Sequence, residues 1–179
     1  MVRVCSYVLM YCLMAMICTA VDGVADDPEG ADVLAECLRA WDDLPPGARQ
    51  AIRLVALPVR DTTTNAVMVN AVQRHATVVT QKSIREGFGL TVTESMWKSR
   101  PVVASAVGGI VDQMPPGTGM LLDDPFDLDL FGRTLVGLLG RPSEMTSLGR
   151  KARQHVRRNF LTDRHLIDYG RLLEHVVEG

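Results

Sequence analysis

The chain has 179 residues, 47% apolar and 22% charged, with a formal net charge of −2. Those values fit one ordinary globular domain, long enough to bury a core without disulfide staples, and they exclude a wholly disordered chain. The near-neutral charge gives no global attraction for nucleic acid or for an anionic membrane.

Taken in order, residues 1–23 form an apolar N-terminal segment ahead of a second unit, 24–179. Arg3 is followed by an apolar run from Val4 to Val21, broken by Ser6 and Thr19. Two readings stay open: a buried strand remnant, expected near residues 8–19, or a signal-like or membrane-anchoring segment with a loose small-residue pattern at Cys18-Thr19-Ala20. Asp26-Asp27-Pro28-Glu29-Gly30 is an acidic turn cluster, and Val33, Leu34, Cys37, Leu38 and Trp41 then recur at helical spacing, predicting a helix over 31–41. Asp42 to Gly47, with two prolines, reads as a surface loop. A strand is expected at 52–57 and a helix leading up to Arg74-His75.

The central stretch reads strand, loop, helix, strand: 76–81, the loop opened by Glu86, a helix from Thr91 to Ser99, and 101–105. A turn at Pro115-Pro116-Gly117-Thr118-Gly119 precedes a short strand at 120–122, and the last third carries three helical stripes. Alternating helices with continuous apolar strands predict an α/β fold, a doubly wound Rossmann-like parallel sheet covered on both faces. In such sheets ligands bind at the carboxyl ends of the strands.

Cys5, Cys12, Cys18 and Cys37 form no Cys-x-x-Cys pair, and His75, His155, His165 and His175 have no zinc-like spacing, so no metal site is expected. Arg150, Arg153 and Arg157 share a helical face, read as solvated.

The loop Glu86-Gly87-Phe88-Gly89-Leu90-Thr91-Val92-Thr93-Glu94 carries the chemistry. Gly87 and Gly89 allow close backbone approach or positive φ. The amides of Gly89, Leu90 and Thr91 open a helix, where unpaired N–H groups favour an anion such as phosphate. Glu86 and Glu94 flank them as acceptors for hydroxyls, and a phosphate between two polyols is a nucleotide-sugar. A structural alternative is a capping box in which Thr91 caps the helix and Glu94 reaches back to the Thr91 amide.

These residues resemble the carboxyl-terminal half of retaining glycosyltransferases of the GT-B fold, family GT4. The signature is Glu86-Gly87-Phe88-Gly89-Leu90 with Glu94-Ser95-Met96, continued by Trp97-Lys98, Arg100-Pro101-Val102-Val103-Ala104-Ser105 and Val107-Gly108-Gly109-Ile110. Gln81-Lys82-Ser83, Asn159-Phe160-Leu161 and Arg164-His165-Leu166 narrow the likeness to trehalose synthases and trehalose phosphorylases. The resemblance implies transfer of glucose from UDP- or ADP-glucose to a sugar acceptor, without metal or cofactor. Glu86 would be the catalytic contact to donor-sugar hydroxyls. Gly87, Phe88, Gly89, Leu90 and Thr91 would hold donor sugar and diphosphate, and Glu94 the ribose. The family's phosphate-neutralising Arg and Lys and its acceptor domain have no counterpart in this sequence. A partial enzyme is therefore expected, paired with a separate amino-terminal half or with a second copy, or a noncatalytic nucleotide-sugar-binding or assembly module. No nucleic acid partner is expected, and the location is cytoplasmic unless residues 1–21 anchor or export the chain.

Overall fold

The computed structural model describes residues 8–12, 15–21, 28–57 and 61–178. The acidic pair Asp26-Asp27 and the residues ahead of position 8 lie outside them. The strands are β1 (Val8–Cys12), β2 (Ala15–Val21), β3 (Ile52–Leu57), β4 (Val78–Gln81), β5 (Val102–Ser105) and β6 (Met120–Leu122). The helices are α1 (Pro28–Asp42), α2 (Pro46–Ala51), α3 (Thr62–His75), α4 (Leu90–Trp97), α5 (Ile110–Gln113), α6 (Leu128–Leu139), α7 (Pro142–Asn159) and α8 (Thr162–Glu178).

One six-stranded sheet runs in the order β3-β2-β1-β4-β5-β6, the order of a doubly wound dinucleotide-type sheet. The pairs β2–β3, β4–β5 and β5–β6 are parallel. β1 runs against both neighbours, so a single strand over 8–19 is replaced by a hairpin. Two further expectations change. α2 starts at the end of the segment read as loop and runs on to Ala51, with Pro46 in its first turn, where a proline costs no hydrogen bond. α1 begins at Pro28, three residues before the expected start at Ala31.

Strand alternation sorts the core onto two faces. Val79, Val102 and Ala104 pack with Val92 and Met96 of α4, Ile110 of α5, and Ala152 and Val156 of α7. Their sequence neighbours Val78 and Val103 point the other way, onto Leu138 of α6 and Leu148 near the start of α7. Each of the buried Val, Leu, Ile and Met side chains among these contributes roughly 1.5–3 kcal/mol. Asp61 and Asp127 cap α3 and α6 by accepting from the Thr64 and Leu130 amides, at 2.9 and 2.7 Å. The Thr64 hydroxyl and amide hold the Asp61 carboxyl below its ordinary range. α8 is different: Leu166, Ile167, Tyr169, Leu172, Leu173, Val176 and Val177 are all exposed.

α4 ends in a Schellman turn. The Ser99 amide donates to the Met96 carbonyl at 3.0 Å and the Arg100 amide to the Ser95 carbonyl at 2.9 Å. That geometry needs a left-handed residue, and Ser99 supplies it at φ 60°. A non-glycine residue there pays for the contact of its Cβ with the carbonyl. Ser99→Gly is therefore expected to raise stability by about 1 kcal/mol, read from denaturant melts. A loss of stability would mean that the serine side chain holds the turn.

Candidate functional site

The site is built where β4 hands over to α4. Gln81, Lys82 and Ser83 close the strand in buried positions, Glu86 is half-buried, and Gly87, Phe88 and Leu90 are exposed. Gly89 is buried and left-handed at φ 86°, and it forms the N-cap of α4. A Cβ on it would meet Ile110 Cγ1 at 2.9 Å and Glu86 Cγ at 3.4 Å, so a side chain is opposed by both strain and space.

Because Gly89 ends the loop, the helix starts two residues earlier than a Thr91 cap requires, and the alternative of a capping box does not form. Thr91 sits inside the first turn, and no side chain caps the helix. Glu94 instead accepts from Gln73 Nε2 of α3 at 3.0 Å. Its carboxylate is thereby turned away from the helix start and toward α3.

The loop lies flush on the turn between β5 and α5. Gly109 donates its amide to the Gly87 carbonyl at 2.9 Å. Gln113, 1% exposed, donates from Nε2 to the Phe88 carbonyl and accepts from Thr93 Oγ1, tying loop and helix together through one amide. Phe88 meets Phe160 edge-on with ring centroids 6.1 Å apart, and Phe160 meets His155 at 5.6 Å. Glu86 is held by donors of its own segment: the Gly87 amide at 3.1 Å on Oε1, and Ser83 Oγ and Gln81 Nε2, each at 3.3 Å, on Oε2.

The two carboxylates of the sequence motif thus serve different neighbourhoods. Glu86 belongs to a polar cluster at the end of β4. Glu94 lines a cleft of about 630 Å³ between α3 and α4, with Thr62, Asn65, Val69, Asn70, Thr91 and Lys98. Lys98 Nζ donates to Gln73 Oε1, completing a Glu94–Gln73–Lys98 chain. Burial lowers the Lys98 pKa below its ordinary value and the Glu94 carboxylate partly restores it, while Arg74 opposes the charge. Glycine backbone, open amides and a polar cleft are what a phosphate and its flanking hydroxyls require.

Lys82 is spent elsewhere. It is 6% exposed, donates to the Pro125 carbonyl and lies 5.8 Å from the Phe131 ring. Burial lowers its pKa, with Asp124 opposing the shift. A second cleft, about 580 Å³, follows α7 and is lined by Ser99, Ser147, Arg150, Lys151, Arg153 and Arg157 among others. It includes the basic face read from the sequence, and Arg153 stacks over Trp97 at 5.0 Å. Among the described residues, no group of three His, Cys, Asp or Glu is placed to hold a metal. No helix among them is long and apolar enough to cross a membrane.

Gln73, Gln81, Lys98 and Gln113 were assigned no site role from the sequence, although Gln81 and Lys98 stand among the residues that carry the family resemblance. Gln81 had a signal, a polar side chain closing an apolar strand at the edge where ligands bind. Gln73 and Gln113 had none, since a buried glutamine in a helix looks the same as an exposed one.

His155 buttresses the loop through Phe160, and burial lowers its pKa from the ordinary 6.5. Its Nε2 is buried without a partner. As pH falls, the unfolded chain takes up the proton before the folded one does, so stability falls from about pH 7 down through the lowered pKa and is flat below it. His155→Gln should remove that part of the acid loss in denaturant melts between about pH 7.5 and about pH 5.5. Parallel pH profiles for wild type and variant would show that the imidazole is not buried in the neutral form.

The family described as glycosyl transferases group 1 matches residues 63–155, which include β4, α4 and β5. A trehalose synthase of Rubrobacter xylanophilus is 50% identical over 111 residues, covering 62% of this chain and 26% of that protein. A trehalose synthase of Pyrococcus horikoshii is 39% identical over 146 residues, covering 80% and 32%. The chain therefore spans about a quarter to a third of the length of these relatives. Among solved structures, sucrose-phosphate synthase of Thermosynechococcus elongatus superposes with a TM-score of 0.69 at 21% identity, over 90% of this chain and 38% of that one. Anabaena Alr3699/HepE, solved with UDP-glucose, superposes with a TM-score of 0.62 at 17% identity, over 78% and 36%. These likenesses place the sheet and its helices in the carboxyl-terminal, Rossmann-like half of the GT-B architecture. With the match covering more than half of its residues, the chain belongs to the glycosyl transferases group 1, as a carboxyl-terminal domain close to the trehalose synthases.

Proposed function

We propose that this chain is the donor-binding half of a retaining, trehalose synthase-like glycosyltransferase that moves glucose from UDP- or ADP-glucose to a sugar acceptor. The observation that carries the reading is the left-handed Gly89 at the start of α4, which leaves the first amides of the helix uncapped between two carboxylates that are not consumed by capping. With the Gly87 amide held by Glu86, the amides from Phe88 to Thr91 take the diphosphate and the donor sugar, helped by the partial positive charge of a helix N-terminus, about half an elementary charge. Glu94, in the α3–α4 cleft, accepts from the ribose hydroxyls. Glu86 accepts from hydroxyls of the donor sugar near the reacting carbon.

The relatives' names support the trehalose synthase class, and the UDP-glucose complex of a structural neighbour supports the donor class. The fixed dipoles of the α4 N-terminus contribute to stabilising the departing diphosphate, a form of electrostatic preorganisation. The acceptor site belongs to a region beyond the third of the relatives' length that this chain spans, on the same longer protein or on a partner chain. The domain by itself binds donor and transfers nothing. We place it in the cytoplasm.

Calorimetry with UDP, ADP, UDP-glucose and ADP-glucose tests the assignment. Glu94→Ala is expected to weaken UDP and UDP-glucose alike, by about tenfold or more, the worth of a hydrogen bond to a charged group. Glu86→Ala should leave UDP unchanged and remove the gain that the glucose adds. No binding of any of the four ligands at millimolar concentration would sink the reading, as would a Glu86→Ala loss that is equal for UDP and UDP-glucose.

A further inference from the structure

Gln81 is the last residue of β4, 2% exposed, a long polar side chain that follows the buried Val78, Val79 and Thr80. Its Nε2 donates to Ser83 Oγ at 2.8 Å and to Glu86 Oε2 at 3.3 Å, and Ser83 Oγ also reaches Glu86 Oε2 at 3.3 Å. Its Oε1 is buried with no hydrogen-bond partner. A buried acceptor left unpaired works against folding, so the side chain sits in this orientation at a cost.

The amide cannot escape that cost by turning over. Turned, Oε1 would face Glu86 Oε2 across the 3.3 Å that Nε2 now spans, and a carboxylate has no hydrogen to give it. The Glu86 carboxylate therefore dictates which way Gln81 points, and the orphaned oxygen is the consequence. A leucine or methionine at this place would fill the strand end without any unpaired atom.

We propose that Gln81 is a positioning residue. With Ser83 it holds one oxygen of Glu86 and so fixes the orientation in which the carboxylate meets a hydroxyl of the donor sugar. This inference rests on the reading of Glu86 given above, and it adds a residue to which the family signature gives no role. Local rules broken at the cost of stability are expected at functional positions.

The experiment uses the whole chain with Gln81→Met and, beside it, Glu86→Ala. Gln81→Met is expected to melt at the wild-type temperature or above it, to keep UDP affinity within about twofold, and to lower the ratio of UDP-glucose to UDP affinity by about tenfold. A residue that served only packing would lower the melting temperature and leave that ratio alone, and this result would overturn the proposal. An unchanged ratio in Gln81→Met with a lowered ratio in Glu86→Ala would also overturn it, while leaving Glu86 as the sugar contact. An unchanged ratio in both variants would overturn the reading of Glu86 and the proposal together. In ligand-free protein, the Gln81 side-chain amide protons should exchange slowly by NMR and become fast in Glu86→Ala. Exchange that is fast in both would show that the Gln81–Glu86 contact does not hold.

Discussion

Gly108→Ala is expected to destabilise the domain by about 2–5 kcal/mol, summing a left-handed penalty for a residue with a side chain and an overpacking term. Gly108 has φ 52°, and a Cβ placed on it would lie 1.8 Å from the Glu86 carbonyl oxygen and 2.9 Å from its carbon. Both partners are backbone, so no rotamer change relieves the contact. The two loops would have to separate, breaking the bond from the Gly109 amide to the Gly87 carbonyl and unseating the backbone beneath Glu86. Donor affinity should fall by at least about tenfold along with stability, since the loss of one charged contact alone is worth that much. Gly87→Ala is the control: nothing lies within 4 Å of its added Cβ, and stability should stay within about 0.5 kcal/mol of wild type. Guanidinium melts of both variants check the pair. Equal stability in Gly108→Ala and wild type would mean that the two loops are not in contact.

The second large effect is expected at Gly149, inside α7 and far along the chain from the loop. Its added Cβ would stand 2.1 Å from the Ser99 carbonyl oxygen, which puts α7 in backbone contact with the Schellman turn that ends α4. Gly149→Ala must push α7 off that turn, and Ala152 and Val156 of α7 would leave the core shared with Val92 and Met96. Overpacking of this kind costs about 1–3 kcal/mol, with the upper end expected where backbone meets backbone. Differential scanning calorimetry checks it. A melting temperature within a degree or so of wild type would contradict the close approach.

The central βαβ unit was legible because its signals are local and agree with one another. Two apolar strands, a glycine loop and a short helical stripe lie within about thirty residues, and the motif residues Glu86 to Glu94 fall on that loop and helix. The capping-box alternative fails for an equally local reason. Thr91 and Glu94 have the right spacing, but spacing does not say which residue is left-handed, and Gly89 takes that role two positions earlier. The hairpin of β1 and β2 was hidden because the run from Val4 to Val21 contains no Gly, Pro, Asn or Asp to mark a reversal. α2 was hidden by the opposite problem, since Pro45-Pro46-Gly47 is a turn signal that also permits a helix start. The polar chain Glu94–Gln73–Lys98 joins residues 21 and 25 positions apart. Contacts of that range come from the packing of α3 on α4, which no window of sequence displays.

The exposed apolar stripe of α8 bears on how the molecule comes apart. Its ion pairs, Arg164–Asp168 at 3.0 Å and Arg171–Asp168 at 3.9 Å, are internal to the helix, and its large apolar side chains lie outside both core clusters. A helix of this length without tertiary burial is marginal in water. The chain should then have two cooperative units, with α8 amides exchanging near the rate of a free peptide while those of β4, β5 and α4 wait for global opening. Trp41 and Trp97 both lie outside α8, so tryptophan fluorescence should follow the larger unit alone and melt above the temperature at which α8 loses its amide protection.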